Sequence, residues 1–336
     1  MLSSPINLYN KKILLAPLDW GMGHAARCVS LIKQLQHQQN NLVIACTNQQ
    51  QKFLEQEISG VEFVILFGYN MHYAKVLPLW IKILMQLPKL FFVVRKENKW
   101  LANYLEKNKT DVVISDNRFG FYNKSVESIF ITHQLNVQAP FFAKAINRIN
   151  NSAIKKYNVC WVPDYVEEEK RLSGVLSFED KINNTIFIGP LSRFEKKEPQ
   201  QKKHDILILL SGPEPQRTLL EERLVSAFAN TNYKIALVRG SFNERTQKLP
   251  TNFYVIDVAP LKQLQELFNV SAKIICRSGY STLMDLDALN LKALLIPTPG
   301  QTEQEYLANY WYEKFACTYL EQKNISKENI EKFMLS

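Results

Sequence analysis

The sequence predicts an α/β protein of two Rossmann-like domains, each built on a doubly wound parallel sheet. Two observations carry the prediction. Short apolar runs alternate with stretches of helical periodicity twice along the chain, the rhythm of βαβ units. Between the two blocks, residues 191–204 are rich in Lys, Glu, Gln and Pro, the composition of a linker. The expected organisation is a first domain at 1–192, a linker at 193–204 and a second domain at 205–336, each long enough to bury its own core.

The first strand is read at 12–16, where KILLA runs into Pro17. A helix is expected at 25–38, and further strands at 42–46, 61–67, 111–115 and 128–132. In the second block the strands fall at 205–210, 234–238, 253–258, 273–276 and 293–297. Composition narrows the class. With 46% apolar and 22% charged residues, disordered and collagen-like chains are excluded. Forty-one basic against 32 acidic side chains give a net charge of +9, which favours an anionic partner. Five scattered cysteines without a CxxC pair argue for reduced thiols in a cytoplasmic protein and against structural zinc. No signal-peptide h-region and no apolar run of about 18 residues is visible, so a soluble or peripheral protein is expected.

Glycine is scarce, 11 of 336 residues, so its clusters mark places where backbone must approach a ligand closely. The first cluster, Gly21-Met22-Gly23-His24-Ala25-Ala26-Arg27, follows the first strand and opens the first helix. As GxGxxA it suggests a dinucleotide fingerprint. The loop is too long for that tight turn, however, and the second strand ends at Cys46-Thr47 without a ribose-binding acid. The other reading centres on His24. An imidazole at a helix N-terminus is kept neutral there and can accept a proton near pH 7. It could equally cap its own helix. Asp19 is close enough in sequence to orient it or merely to cap a turn.

In the second block, Ser211-Gly212-Pro213-Glu214-Pro215-Gln216-Arg217 is a polar turn between strand and helix that could offer N–H groups to an anion. A stronger candidate is Cys276-Arg277-Ser278-Gly279-Tyr280-Ser281-Thr282. There Ser278 and Gly279 start a helix facing a diphosphate, and Asp285 lies where a carboxylate could accept the hydroxyls of a ribose. Asp287 completes a literal Asp-Leu-Asp, but inside a helix the two side chains diverge by about 200°, so no metal site is expected. After the last strand, Pro297 to Gly300 leads into Glu303, Gln304 and Glu305, which could bond sugar hydroxyls or serve as a first-turn acidic cap.

These residues resemble those of GT-B glycosyltransferases of family 28, the MurG-like and diacylglycerol-glycosylating enzymes. Cys276-Arg277-Ser278-Gly279, Thr282 and the acid at 285 look like the donor-binding motif, with Asp285 where the family usually has glutamate. The segment from Pro297 through Gln304 to Asn309 resembles the sugar-contacting segment. Gly21-Met22-Gly23-His24 resembles the glycine loop of the first domain. Two prolines in the 211–217 loop depart from the family's glycine-rich pattern. The resemblance implies two Rossmann-like domains facing a central cleft, with a nucleotide-diphosphate sugar, most naturally UDP-linked, as co-substrate and no cofactor. It implies Ser211, Gly212, Arg217 and Thr282 among the donor-binding residues, Arg277, Ser278 and Gly279 at the diphosphate, Leu261 meeting the base, Asp285 the ribose and Gln304 the hexose. His24 would be the general base of an inverting transfer, supported by Asp116 as in plant-type transferases. Asn117 and His133, at strand C-termini, would line the acceptor side with Gly21 and Gly23. Gly23-His24-Ala25-Ala26-Arg27-Cys28 also looks like the GHxxRC of nucleotide-sugar hydrolases of pseudaminate biosynthesis, a second reading on the same fold. A regulator that binds a nucleotide sugar without turnover is a third.

Residues 73–101 separate these readings. They interleave Trp80, Ile81, Leu84, Phe91, Phe92 and Trp100 with Lys75, Lys82, Lys89, Arg95, Lys96 and Lys99. Apolar bulk beside a basic rim suits an anionic leaflet. The run is too apolar for a nucleic-acid groove, and a plain core helix is the alternative. Pro78 and Pro88 predict a helix–turn–helix rather than one long helix. The segment favours a transferase acting on a lipid-linked or membrane acceptor, placed peripherally on the inner face of the membrane.

Overall fold

The structure, a computed structural model, describes residues 6–69, 79–139, 141–178, 182–198, 200–241 and 249–335, and only the backbone of 79–88. The chain divides into two compact units, the division falling between Arg193 and Phe194. In the first, seven parallel strands take the order β3-β2-β1-β4-β5-β6-β7: β1 (Lys12–Pro17), β2 (Asn41–Cys46), β3 (Glu62–Ile65), β4 (Val112–Asp116), β5 (Glu127–Ile131), β6 (Val159–Val162) and β7 (Thr185–Phe187). The helices are α1 (Met22–His37), α2 (Asn48–Glu57), α3 (Leu79–Lys107) and α4 (Ala143–Ile154). The second unit has six parallel strands in the order β10-β9-β8-β11-β12-β13. They are β8 (His204–Leu209), β9 (Ile235–Val238), β10 (Phe253–Ile256), β11 (Ser271–Cys276), β12 (Leu294–Leu295) and β13 (Thr318–Tyr319). With them go α5 (Gln216–Phe228), α6 (Leu261–Val270), α7 (Tyr280–Leu289), α8 (Thr302–Lys314) and α9 (Lys327–Leu335).

The central strands read as continuous apolar runs because both faces are covered. Ile13 through Ala16 are at most 1% exposed, as are Val112, Val113 and Ile114. Leu14, Ala16 and Val113 pack with Leu101 of α3 and Phe121, whereas Leu35, Ile32 and Leu31 of α1 are sealed without exposure. In each unit the strand order reverses once, between β1 and β4 and between β8 and β11. In open parallel sheets the loops at such a reversal, beyond the strand C-termini, are where ligands bind.

Three expectations are corrected. First, α3 is one continuous helix from Leu79 to Lys107, with Pro88 inside it. A proline removes one intrahelical hydrogen bond at a cost of about 3 kcal/mol, which the packing of the following turns offsets. Leu101 is fully buried, and Trp100 stacks on Tyr104 at 5.4 Å and Phe121 at 6.1 Å. Pro78 and the rest of 70–78 lie outside the described residues. Second, the start of the presumed linker is anchored: Phe194 packs edge-on against Phe268 at 5.3 Å, and Glu195 N–H donates to Gln265 Oε1 at 3.1 Å. Third, β6, β7 and β13 escaped the sequence reading. They are two to four residues long, and at that length periodicity does not separate a strand from a buried turn.

Candidate functional site

The reversal in the first unit brings together the end of β1, the start of α1 and the end of β4. Gly21, with φ 84°, sits just ahead of α1 in a conformation that suits glycine, so the chain turns sharply and places His24 in the helix's first turn. No acidic residue lies in that turn. Asp116 ends β4, pairs in register with Pro17 and is fully buried. His24 Nδ1 lies 3.0 Å from Asp116 Oδ2. A carboxylate only accepts, so Nδ1 carries the proton and Nε2 keeps the lone pair. The His24 side chain is 17% exposed.

Two more α1 residues converge on the same carboxylate. Arg27 donates from Nε to Oδ2 at 3.1 Å and from a terminal nitrogen to Oδ1. The Cys28 thiol donates to Oδ2 at 3.6 Å. Positions 24, 27 and 28 share one helix face, which is why His-x-x-Arg-Cys can reach a single acceptor. Burial alone would raise the Asp116 carboxyl, but the Arg27 charge, then the His24 charge and their hydrogen bonds, outweigh it and hold it down at about 2. His24 is lowered below the ordinary imidazole value, first by burial and then by Arg27, with Asp116 opposing and His133 adding a little. The Cys28 thiol is pushed well up, by burial first and then by Asp116, and stays protonated.

Asn117 adopts φ 61° and hands the chain to Arg118. Arg118 is fully buried. It donates to Glu97 Oε1 at 2.5 Å, to Pro17 O at 3.1 Å and to Phe67 O at 2.8 Å. Glu97, equally buried, also accepts from Tyr69 Oη at 2.8 Å and Gly120 N–H at 2.9 Å. This ion pair ties α3 to the loops carrying His24 and Asp116. Gly120 lets it form, since a Cβ there would run into the Val94 carbonyl. Asp19 does not orient the imidazole: its Oδ1 accepts from Tyr69 N–H at 3.0 Å and lies 3.8 Å from Arg118. His133 is buried in the loop after β5, and Gly23 lies within α1 itself.

In the second unit the loops after β8, β11 and β12 are bound into one another. Arg277 is 1% exposed and donates to Ile296 O at 3.2 Å, Pro297 O at 2.9 Å and Gln216 O at 2.9 Å. Burial lowers its guanidinium to about 10. The Ser278 hydroxyl donates to Gln304 O at 2.7 Å, and Gln304 Oε1 accepts from Thr298 N–H at 2.9 Å. A Cβ on Gly212 would lie 3.5 Å from Thr298 Oγ1. Several side chains expected at the donor are engaged within the fold itself. Arg217 donates to Glu214 at 2.6 Å and Glu221 at 2.7 Å, so its charge is matched within the fold. Glu214 also accepts from Thr218 N–H at 3.3 Å, which places a carboxylate of the chain itself at the start of α5. Arg217, Arg277, Ser278 and Gln304 therefore brace the loops through their side chains. Ser211 and Gly212 stay exposed on the loop after β8.

α7 differs from α5. It opens at Gly279 with no side-chain cap and no acidic residue in its first turn, and a Cβ on Gly279 would meet nothing within 4 Å. Thr282 and Asp285, one turn apart on α7, are half-buried. Leu261 is the first residue of α6, behind Pro260, again without a side-chain cap. The sequence reading gave no role to Glu97 and left Arg27 and Cys28 as letters of a motif. Their i, i+3, i+4 spacing was the available signal.

Residues 207–335 match the model of the glycosyltransferase family 28 C-terminal domain. No curated protein matches the chain in sequence. Among solved structures, the glycotransferase of kitacinnamycin is similar over 97% of this chain and 90% of its own, at TM-score 0.68 and 14% identity. Arabidopsis thaliana UGT89C1 complexed with UDP is similar over 96% and 89%, at TM-score 0.67 and 14% identity. Acinetobacter baumannii MurG is similar over 96% and 89%, at TM-score 0.56 and 14% identity. At such identities the likeness is one of fold, and the family match concerns the second unit alone. The chain is a glycosyltransferase of the GT-B fold, with the family 28 C-terminal domain in its second unit.

Proposed function

We propose that the protein moves a sugar from a nucleotide-diphosphate donor, a UDP-sugar, to a hydroxyl of a lipid-linked or membrane acceptor, with inversion at the anomeric carbon. The observation that carries the proposal is His24, held through Nδ1 by buried Asp116 with Nε2 left to accept a proton. The acceptor hydroxyl gives its proton to Nε2 while its oxygen bonds to the anomeric carbon. The bond from that carbon to the diphosphate oxygen breaks, and the diphosphate leaves with the electron pair. Backbone N–H groups at the start of α7, with the positive helix end behind them, stabilise that leaving charge. Asp285 takes the ribose and the start of α6 the base. Asn117 and His133 belong on the acceptor side.

The first unit supports a lipid acceptor. On α3, Phe91 and Phe92 are 53% and 67% exposed, beside Lys89, Arg95 and Lys99. Phe141, Phe142 and Ile149 at α4 are exposed too, beside Lys144 and Arg148. Right-handed crossovers put α3 and α4 on the same face of the sheet, so the aromatic and basic side chains share one surface, as interfacial binding needs. No helix of the described residues is long and apolar enough to cross a membrane.

The test is a thermal-shift panel of UDP-, GDP-, CMP- and dTDP-sugars, followed by transfer to lipid extracts. UDP-sugars should stabilise the protein, and His24→Ala should keep that stabilisation while losing transfer by about 10²-fold or more. Near-full transfer by His24→Ala refutes the base assignment. A hydrolase reading draws on the convergence of His24, Arg27 and Cys28 on Asp116, with water in place of the acceptor. Release of free sugar from radiolabelled donor at full rate without lipid would establish it instead.

A further inference from the structure

Arg27 shares the Asp116 carboxylate with His24, and the transfer reaction assigns it no role. It lies one turn beyond His24 on α1, is 3% exposed, and engages both oxygens of Asp116. Asp116 therefore faces two cations once His24 is protonated, and one while it is neutral. A carboxylate paired only with imidazole favours the imidazolium. A carboxylate already neutralised by a guanidinium, which does not give up its proton in this pH range, favours it far less.

We propose that Arg27 is a positioning and charge-setting residue for His24. It clamps the Asp116 carboxylate in the plane that presents Oδ2 to Nδ1, and it cancels the negative charge that would otherwise hold the imidazole in its protonated, inactive form. The inference rests on the reading of His24 as the base. Its consequence is an enzyme whose base remains free at mildly acidic pH, at the cost of some proton affinity. The groups facing His24 are Arg27 on its own helix, Asp116 from β4 and His133 from the loop after β5. Cys28 donates to the same Oδ2 and adds no charge. Of these, only Arg27 carries a fixed positive charge.

The test follows the His24 ring by NMR in the full-length chain. Its signal is assigned by its loss in His24→Gln among five histidines. In the wild type His24 should titrate below the ordinary imidazole midpoint. Arg27→Gln should raise that midpoint by about 1 pH unit or more, and Arg27→Lys should leave it within a few tenths of the wild type. In transfer assays the acid limb of kcat/KM should move with the NMR midpoint, while the KM for donor stays constant. A merely structural Arg27 would change melting temperature and kcat without moving the limb. Coincident titrations in the wild type and Arg27→Gln overturn the proposal. If Arg27→Gln does not fold, the double variant Arg27→Gln with Asp116→Asn, which removes both charges together, decides: a His24 midpoint within a few tenths of the wild type supports the proposal, and one clearly lower, as loss of Asp116 alone would give, overturns it. The NMR readout needs no substrate. A shifted midpoint in a protein that turns over no nucleotide sugar would therefore defeat the transfer reading and leave the role of Arg27 standing.

Discussion

Replacing Glu97 by alanine should destabilise the first unit more than any other single carboxylate loss in α3. Glu97 and Arg118 are both fully buried, 2.5 Å apart, and Glu97 accepts two further hydrogen bonds, from Tyr69 and Gly120. The truncation leaves a buried guanidinium with two carbonyls and the Asp19 carboxylate at 3.8 Å in place of its close ion pair, and orphans a hydroxyl and an amide. Removing one partner of such a pair costs about 3–5 kcal/mol. For a unit of this size each kcal/mol lowers the melting temperature by about 2–4 °C, so a fall of about 10 °C is expected. Differential scanning calorimetry can show it. The double variant Glu97→Leu with Arg118→Met should recover much of the loss, since two apolar groups of similar volume carry no desolvated charge. A single-variant loss below about 1 kcal/mol would refute the reasoning, as would a double variant worse than the single.

Other expectations follow from the same contacts. Gly120→Ala drives a Cβ into the Val94 carbonyl and should cost about 1–3 kcal/mol, measurable by urea unfolding. The Asp116 carboxyl is lowered to about 2 from the usual 3.8. A depressed carboxyl contributes stability that is complete above about pH 4 and is lost as pH falls toward 2, about 2 kcal/mol for this group. His24, also depressed, acts in the same direction, its share being lost as pH falls below 6.5. Acid unfolding of Asp116→Asn should therefore be shallower than that of the wild type. Arg277→Lys cannot reach the three carbonyls that Arg277 holds, so the loops after β8, β11 and β12 should loosen. UDP binding measured by calorimetry should weaken by about tenfold, and unchanged affinity would show that these loops do not form the donor site.

Long apolar strands and glycine-marked turns were legible in the sequence because each carries a local signal. KILLAP announces a doubly covered strand, and Gly279 between a strand and a helix announces an open N-terminus. His24 stood out for the same reason, as an imidazole in a glycine-thinned loop. What sequence does not encode locally is which polar side chain a distant strand supplies as partner. Arg217, Arg277, Ser278 and Gln304 all look ligand-facing on paper. Their backbone positions are at the loops, but Arg217, Arg277 and Ser278 turn their side chains to carboxylates and carbonyls that require donors, and Gln304 Oε1 is taken by the Thr298 N–H. Pro88 misled in the opposite direction: its local preference for a break is outweighed by tertiary packing of the turns that follow. Glu97 gave no signal at all. An acid in a basic helix reads as surface, and only the fold reveals the arginine beneath it.

The in-register pairing of Pro17 with Asp116, completed by Leu18 N–H donating to the Asp116 carbonyl at 3.0 Å, makes the spacing of base and carboxylate a property of the sheet. Adjacent strands stay about 4.8 Å apart whatever their loops do, so the reactive pair is insulated from change at the rim. The loops after β5 and β6 can thus vary in sequence while the contact between His24 and Asp116 is kept. An exchange of the loop after β6 should leave the titration of His24 where it was, whereas an exchange of the loop after β5 removes His133 and should raise it.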